Sequence, residues 1–294
     1  MATGRFAPSP TGDLHVGNLR TALVAWLFAR SAGSSFRLRV DDLDPSDSRP
    51  AHEIRQLADL TAIGIDWDGP IVRQSERRAA HEAAVDHLVA EGRTYGCWCP
   101  RKELGEAAAA PHGVAGAYPG TCRRLSDDER AARAASGRPP ALRLDAGAEV
   151  VTAVDRLHGE ITRQVDDLVL RRNDGIVAYN VAVVVDDAAM DVEEVVRGDD
   201  LLDTTPRQVL LARLLGLPVP TYAHVPLVVG PDGQRLAKRH GSTTLAELAG
   251  VDVVSALARS LDLAAAGERV TAAQLVYRFD PEQLPRQPFV WHAP

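Results

Sequence analysis

The chain has 294 residues, 45% of them hydrophobic, and a formal net charge of −7; that is enough apolar material for one large domain or two modest ones. No apolar run reaches the roughly eighteen residues of a membrane-spanning helix. The opening Met1-Ala2-Thr3-Gly4-Arg5-Phe6 lacks the order of a signal peptide, so a cytoplasmic protein with no membrane partner is expected. The acidic balance gives no bulk attraction to a phosphate backbone and leaves only a local basic face for any RNA contact.

Residues 4–8 read as a short buried strand running into the turn cluster Pro8-Ser9-Pro10-Thr11-Gly12. Leu19, Leu23, Leu27 and Phe28 recur at helical spacing between Asn18 and Ser31, and Gly33 is a helix stop. Phe36 to Val40 alternates as a strand, with Arg37 and Arg39 on the side opposite Phe36, Leu38 and Val40; the acidic turn Asp41-Asp42-Leu43-Asp44-Pro45 ends it. Helices follow over 51–63 and 75–91. This βαβ alternation predicts an α/β fold with a parallel sheet.

The segment 93–145 breaks the rhythm. It holds all three cysteines, Cys97, Cys99 and Cys122, together with many Gly and Pro residues. An odd cysteine count without a signal peptide argues against a disulfide framework and for a metal. Regular structure returns near 160. Asn173-Asp174-Gly175 between Leu168–Leu170 and Ile176-Val177 is a hairpin signal. Val181 to Val185 is an apolar run without a visible period. Thr205-Pro206 starts a helix to Leu215, with Thr205 as its cap. Val225–Val229 reads as a strand before the Gly230-Pro231-Asp232-Gly233 turn, and 244–294 reads as helical, then irregular.

Four groups of residues carry chemistry. The first is Arg5-Phe6-Ala7-Pro8-Ser9-Pro10-Thr11-Gly12-Asp13-Leu14-His15-Val16-Gly17-Asn18. A helix N-terminus preceded by a Pro/Gly loop suits phosphate, Gly17 allows close approach of a nucleotide, and His15 can donate to phosphate oxygens. A histidine beside a glycine also suits a plain helix cap. The second is Arg235-Leu236-Ala237-Lys238-Arg239, where Lys238 is one of two lysines among 33 basic residues. The third joins Asp41 to Arg197, which on their own read more readily as surface ion-pair residues. The fourth is Cys97-Trp98-Cys99 with Cys122, three thiolates suited to zinc, with Tyr118 or His112 as the fourth ligand.

The first two segments resemble the two signatures of the class I aminoacyl-tRNA synthetases, and the flank Arg5–Gly12 is similar to the glutamyl and glutaminyl branch. Asn18 stands at the last position of the first signature, usually a histidine. In the second, Arg235 replaces a lysine and Ala237 a serine. The resemblance runs collinearly over residues 4–243. It implies a Rossmann-like catalytic domain in two halves, 1–92 and 161–243, a zinc-binding insertion over 93–160, and a small helical appendage at 244–294 in place of an anticodon-binding domain. It implies ATP with Mg2+ as substrate, with His15, Gly17, Asn18 and Lys238 on the nucleotide and His15 and Lys238 catalytic. It places glutamate on Arg5, Ala7, Ser9, Asp41, Tyr179 and Arg197, and it favours Tyr118 as the fourth ligand of one structural zinc.

The shortened length and the Cys-X-Cys…Tyr-X3-Cys pattern resemble the glutamyl-queuosine tRNA(Asp) synthetases. So do Val183 and Leu201, at positions where the full-length enzymes usually have Asn and Trp. The partners then expected are L-glutamate, ATP and the anticodon stem-loop of tRNA(Asp), served by a monomer. Alternatives are glutamylation of a tRNA 3′ end and a non-catalytic synthetase-like binding protein. The pairs Arg77-Arg78, Arg123-Arg124 and Arg171-Arg172 are candidate contacts to RNA backbone.

Overall fold

The computed structural model of the chain describes residues 2–100, 118–234, 236 and 243–292. Strand β1 (Gly4–Phe6) leads to helix α1 (Val16–Ser31), β2 (Phe36–Val40), α2 (Pro50–Ala62), the short β3 (Val72–Arg73) and α3 (Arg78–Ala90). The middle of the chain gives β4 (Thr94–Cys97), α4 (Asp127–Ala134), β5 (Ala141–Leu144), β6 (Val150–Asp155), β7 (Gly159–Gln164) and β8 (Val169–Arg171). Then come α5 (Tyr179–Ala189), β9 (Glu194–Gly198), α6 (Thr205–Leu214), β10 (Thr221–Val225), β11 (Val228–Val229), α7 (Val253–Arg259), α8 (Ala272–Leu275) and β12 (Phe289–Val290). Among the described residues no helix is long and apolar enough to cross a membrane.

The central sheet has seven strands in the order β3-β2-β1-β9-β10-β6-β7. Every neighbouring pair is parallel except β6 and β7 at the edge, as the βαβ rhythm predicts. A second, antiparallel sheet joins β4, β5 and β8. The two sheets therefore do not divide at residue 160, where the sequence suggested the insertion would end. The β6–β7 hairpin, rich in β-branched residues and closed near Gly159 at φ 73°, reaches the central sheet through Tyr222 and Asp155. The small sheet takes β8 from beyond that boundary.

Helix α1 is buried on all sides from Ala22 to Ala29, while Gly17, Asn18 and Thr21 nearer its start are half-buried. It lies on the sheet, and its outer face is covered by the C-terminal segment, with Leu257, Leu261, Leu275 and Phe279 in the same core. Phe28 meets Phe279 at 5.3 Å between ring centroids. Buried Arg20 ties the layers together through Pro226 O at 2.8 Å and Ser260 Oγ at 3.1 Å. Such an all-round apolar helix shows only a weak 3.6-residue stripe.

Three sequence expectations differ from the structure. The run Val181–Val185 is the middle of α5, not an aperiodic stretch; its period is hidden because Asp186 and Asp187 also face inward. The strand expected over Val225–Val229 is two strands split at Pro226 and Leu227, since proline cannot donate to a ladder. Thr205 is the first helical residue, and Thr204 occupies the cap position.

The two buried aspartates of α5 fix the neighbouring elements. Asp186 Oδ1 accepts from His81 Nε2 at 2.8 Å and Arg77 Nε at 2.6 Å. Asp187 Oδ1 accepts from Arg39 Nη1 at 2.5 Å and Arg5 Nε at 3.3 Å. Burial works to raise the pKa of Asp187, but Arg5 and Arg39 outweigh it and hold the carboxyl below its ordinary value. A carboxyl with a depressed folded value contributes stability that is complete above its unfolded pKa of about 3.9 and lost as pH falls through the folded value. Asp187→Asn is expected to cost about 3–5 kcal/mol in urea titrations at pH 7, because two guanidinium groups lose a buried counter-charge. The gap between wild type and variant should close as the acid limb is descended; a gap that stays constant with pH would contradict the ion-pair account.

Candidate active site

Between β1 and β9 the strand order changes direction, and in open parallel sheets ligands bind in the crevice at the carboxyl ends of strands flanking such a point. Arg5 lies on β1, Arg39 on β2 with Asp41 just past its end, Arg197 on β9, and His224 on β10. Tyr179 opens α5. A cavity of about 410 Å3 adjoins this end of the sheet and is lined by Ser9, Asp41, Gln74, Arg172 and Tyr179, continuing to Cys97 and Cys99.

The basic residues of the crevice differ in their partners. Arg5 spends Nε on Asp187 and Nη1 on Val196 O at 3.2 Å. Fully buried Arg39 donates from Nε to Asp41 Oδ1 at 2.7 Å. Burial pushes the Asp41 carboxyl up while Arg39 pulls it down, and burial prevails. Arg197, only 6% exposed, has neutral partners. Its Nε donates to His224 Nε2 at 2.9 Å, Nη1 to Gln208 Oε1 at 2.7 Å and Nη2 to Thr205 Oγ1 at 3.0 Å. Among the described residues no carboxylate pairs with it, and burial lowers its pKa. A guanidinium has five N–H donors; these three bonds leave one on each Nη. Tyr179 stands at the mouth with its ring partly exposed. Burial around its hydroxyl raises the pKa and Asp41 adds to that, while Arg197, Arg5 and Arg39 act in the opposite sense.

His15 is the N-cap of α1. Its Nδ1 accepts from Gly17 N at 3.1 Å and Asn18 N at 3.2 Å, and Asn18 Oδ1 accepts from His15 N at 3.2 Å. The capping reading of this histidine is therefore realised. It also fixes chemistry: with Nδ1 accepting, the proton of the neutral ring sits on Nε2. Gly17 is required there, because a Cβ would lie 2.9 Å from His15 Cε1 and Nδ1. Lys238 and His112 lie outside the described residues, but the flanks of the second signature do not. Gly230 N donates to Gln234 O at 2.8 Å, closing the turn, and Val16 N donates to Thr243 O at 2.8 Å. Thr243, where the described chain resumes, thus lies at the start of α1.

Cys97, Cys99 and Cys122 converge, with their sulfurs all within 4.8 Å of one another. Cys99 and Cys122 are 3.5 Å apart, and Tyr118 Oη is 3.4 Å from Cys97 Sγ and 3.6 Å from Cys99 Sγ. Four ligands around zinc, with Zn–S of about 2.3 Å, stand about 3.5–3.8 Å from one another, so three sulfurs and the phenol oxygen fit a tetrahedral ion. Burial pushes the Cys99 thiol up to about 12. For Cys122 burial is outweighed by hydrogen bonds, Tyr118 first, and its thiol is held low. Behind the phenol, Arg143 lies 3.7 Å over the Tyr118 ring.

The structure brings together Arg5, Ser9, Asp41, Tyr179 and Arg197 in one crevice, His15, Gly17 and Asn18 at one helix start, and Cys97, Cys99, Tyr118 and Cys122 in one cluster. Ala7, on the loop after β1, is only partly buried. Arg39, Asp155, Asp187 and His224 were missed in sequence. Only Arg39 carried a signal, two residues before Asp41 in a strand whose other arginine is more exposed. The arginine pairs are committed internally: Arg77 to Asp186, Arg123 to Asp145 and Asp167, Arg171 to Glu82 and Asp86, Arg172 to Asp44 and Asp174, and Arg78 and Arg124 to backbone carbonyls.

Comparison with known proteins identifies the family. The family "tRNA synthetases class I (E and Q), catalytic domain" matches residues 1–260. A glutamyl-Q tRNA(Asp) synthetase of Nocardia farcinica is 60% identical over 98% of this chain and 92% of its own length. One from Symbiobacterium thermophilum is 48% identical over 98% and 95%. The crystal structure of a glutamate tRNA ligase from Elizabethkingia meningosepticum, in complex with its amino acid, superimposes with a TM-score of 0.82 at 26% identity, covering 99% of this chain and 67% of that one. The chain belongs to the class I tRNA synthetases of the E and Q type, ligases by reaction, and within that family it is similar over almost its whole length to the glutamyl-Q tRNA(Asp) synthetases.

Proposed function

We propose that this enzyme activates L-glutamate with ATP in the absence of RNA and passes the glutamyl group to the queuosine base in the anticodon of tRNA(Asp). The observation that carries the glutamate assignment is Arg197, a buried cation with one N–H left on each Nη and no carboxylate partner among the described residues. A side-chain carboxylate is the ligand that such a fork binds. Asp41, within the same cavity wall as Ser9 and Tyr179, takes the substrate ammonium; Arg5 and Ala7 complete the pocket from β1 and the loop after it.

In the reaction the α-carboxylate of glutamate attacks the α-phosphorus of ATP, the bond to pyrophosphate breaks, and glutamyl-adenylate forms. A hydroxyl of the acceptor base then takes the acyl group and AMP leaves. The protein's contribution is positioning and charge stabilisation. His15 Nε2–H faces the phosphates from the positive dipole end of α1, Gly17 keeps the approach to that end free of a side chain, Asn18 stands beside it, and Lys238 neutralises the leaving pyrophosphate. The nucleotide brings its own Mg2+. The names of the curated relatives support the acceptor.

Zinc belongs to the same reading. Cys97, Cys99, Cys122 and Tyr118 would hold it, and its chemistry there is structural: it would tie β4 to the Tyr118–Cys122 turn. Purified protein is expected to contain close to one equivalent of zinc by elemental analysis. Cys99→Ser should lose it, since thiolate ligands and local folding are linked; unchanged metal content in that variant would contradict the site.

Glutamate should support ATP–pyrophosphate exchange without RNA, while glutamine and aspartate should support little. Glutamine would turn an NH2 donor toward the Arg197 donors and leave buried N–H groups unpaired, which costs affinity. Labelled glutamate should then join tRNA(Asp) carrying queuosine and not the same tRNA with guanosine at that position. Equal exchange with glutamine would overturn the pocket, and label on the 3′-terminal adenosine would overturn the acceptor.

A further inference from the structure

We infer that His224, held in one tautomer by Asp155, is a positioning residue that aims Arg197 at the side-chain carboxylate of the substrate; this rests on the glutamate assignment above. Both residues are fully buried on adjacent parallel strands, with His224 in register opposite Arg197. Neither lines the cavity, and Arg197 itself sits behind the lining residues; His224 is bonded to Arg197 Nε and Asp155 to His224, so the route from this pair to a ligand runs through Arg197.

The tautomer follows from the neighbours of each ring nitrogen. His224 Nδ1 lies 2.7 Å from Asp155 Oδ2, which also accepts from His224 N at 3.0 Å. Asp155 Oδ1 accepts from Leu157 N at 2.8 Å and His158 N at 2.9 Å. The carboxylate is thus immobilised and acceptor-only, and the ring proton must sit on Nδ1. On the far side Nε2 faces two donors, Arg197 Nε at 2.9 Å and the Thr205 hydroxyl at 3.2 Å. A proton on Nε2 would point at the Nε–H of a cation. Tyr222 packs against both partners, stacked on His224 at 6.1 Å and under Arg197 at 5.3 Å, which fixes the planes of ring and guanidinium.

The consequence is specific. His224 takes the Nε–H of Arg197, Gln208 and Thr205 take one N–H from each Nη, and the remaining pair is left for a carboxylate. Without the acceptor at Nε the guanidinium can rotate and offer a different edge. A carboxylate contributes this orientation only through a neutral imidazole, which leaves the positive charge of Arg197 uncancelled for the substrate.

The test has two parts. In nitrogen-15 spectra of the histidine-labelled wild-type chain, with His224 assigned by its loss in His224→Gln, Nδ1 should be protonated and Nε2 bare; the reverse would overturn the inference. In pyrophosphate exchange, His224→Asn keeps a donor toward Asp155 but no acceptor for Arg197, and His224→Gln places an amide oxygen near the Nε2 position. The Asn variant should raise the KM for glutamate about tenfold or more, with that for ATP changed less than about twofold, and the Gln variant should recover most of the loss. The isosteric Asp155→Asn, which forces the ring proton toward Arg197, should resemble His224→Asn. Equal effects of Asn and Gln, or equal shifts in both KM values, would assign His224 to packing alone. Absence of glutamate-dependent exchange in the wild type would instead reject the proposed substrate, while the spectrum would still decide whether the relay exists.

Discussion

One carboxylate oxygen, Asp187 Oδ1, receives hydrogen bonds from Arg5 on β1 and Arg39 on β2, and the crevice is built around that junction. Burying an ion is costly unless it is paired and hydrogen-bonded, so α5 can pack here only in the register that delivers Asp187 between the two strands. Arg39 then passes the constraint on to Asp41 at 2.7 Å. The position of the acid assigned to the substrate ammonium is therefore set by a helix far away in sequence. Arg5 and Arg39 are paired with Asp41 and Asp187 while Arg197 has neutral partners, so these five buried groups carry one positive charge in excess. Glutamate at neutral pH carries one negative charge, and binding it would neutralise the pocket.

At the start of α1 one group serves structure and, in the proposed reaction, chemistry as well. His15 caps α1 through Nδ1, which orients the ring and leaves the donor tautomer at Nε2. Gly17 allows the ring to lie against the helix start. The body of the same helix is buried between the sheet and the C-terminal core, which anchors its half-buried first turn. Thr243, eight residues past Arg235, is bonded to the first residue of this helix, Val16.

The sequence made legible what depends on local pattern. The strand at Phe36–Val40, the helices near 50–62 and 78–90, and the clustering of the cysteines all follow from period, turn residues and composition. What it hid were elements whose polar residues face inward. Asp186 and Asp187 mask the period of α5, and Arg39, alternating with apolar residues, reads as the outward side of a strand that is in fact buried on both faces. His224 and Asp155 had no signal at all: their pairing depends on β10 lying between β6 and β9, and strand order cannot be read from spacing. The internal partners of the arginine pairs were hidden for the converse reason. Adjacent arginines suggest a basic face, but in this acidic chain carboxylates take four of the six and carbonyls the other two.

The central claim is that Arg197 waits for the side-chain carboxylate of glutamate. A crystal structure of the protein soaked with L-glutamate tests it most directly. The account predicts that the γ-carboxylate accepts from both Nη atoms of Arg197 at about 2.7–2.9 Å, with the ammonium toward Asp41 and the bond from Arg197 Nε to His224 retained. A glutamate whose γ-carboxylate lies elsewhere, with Arg197 keeping only its three neutral partners, would contradict it.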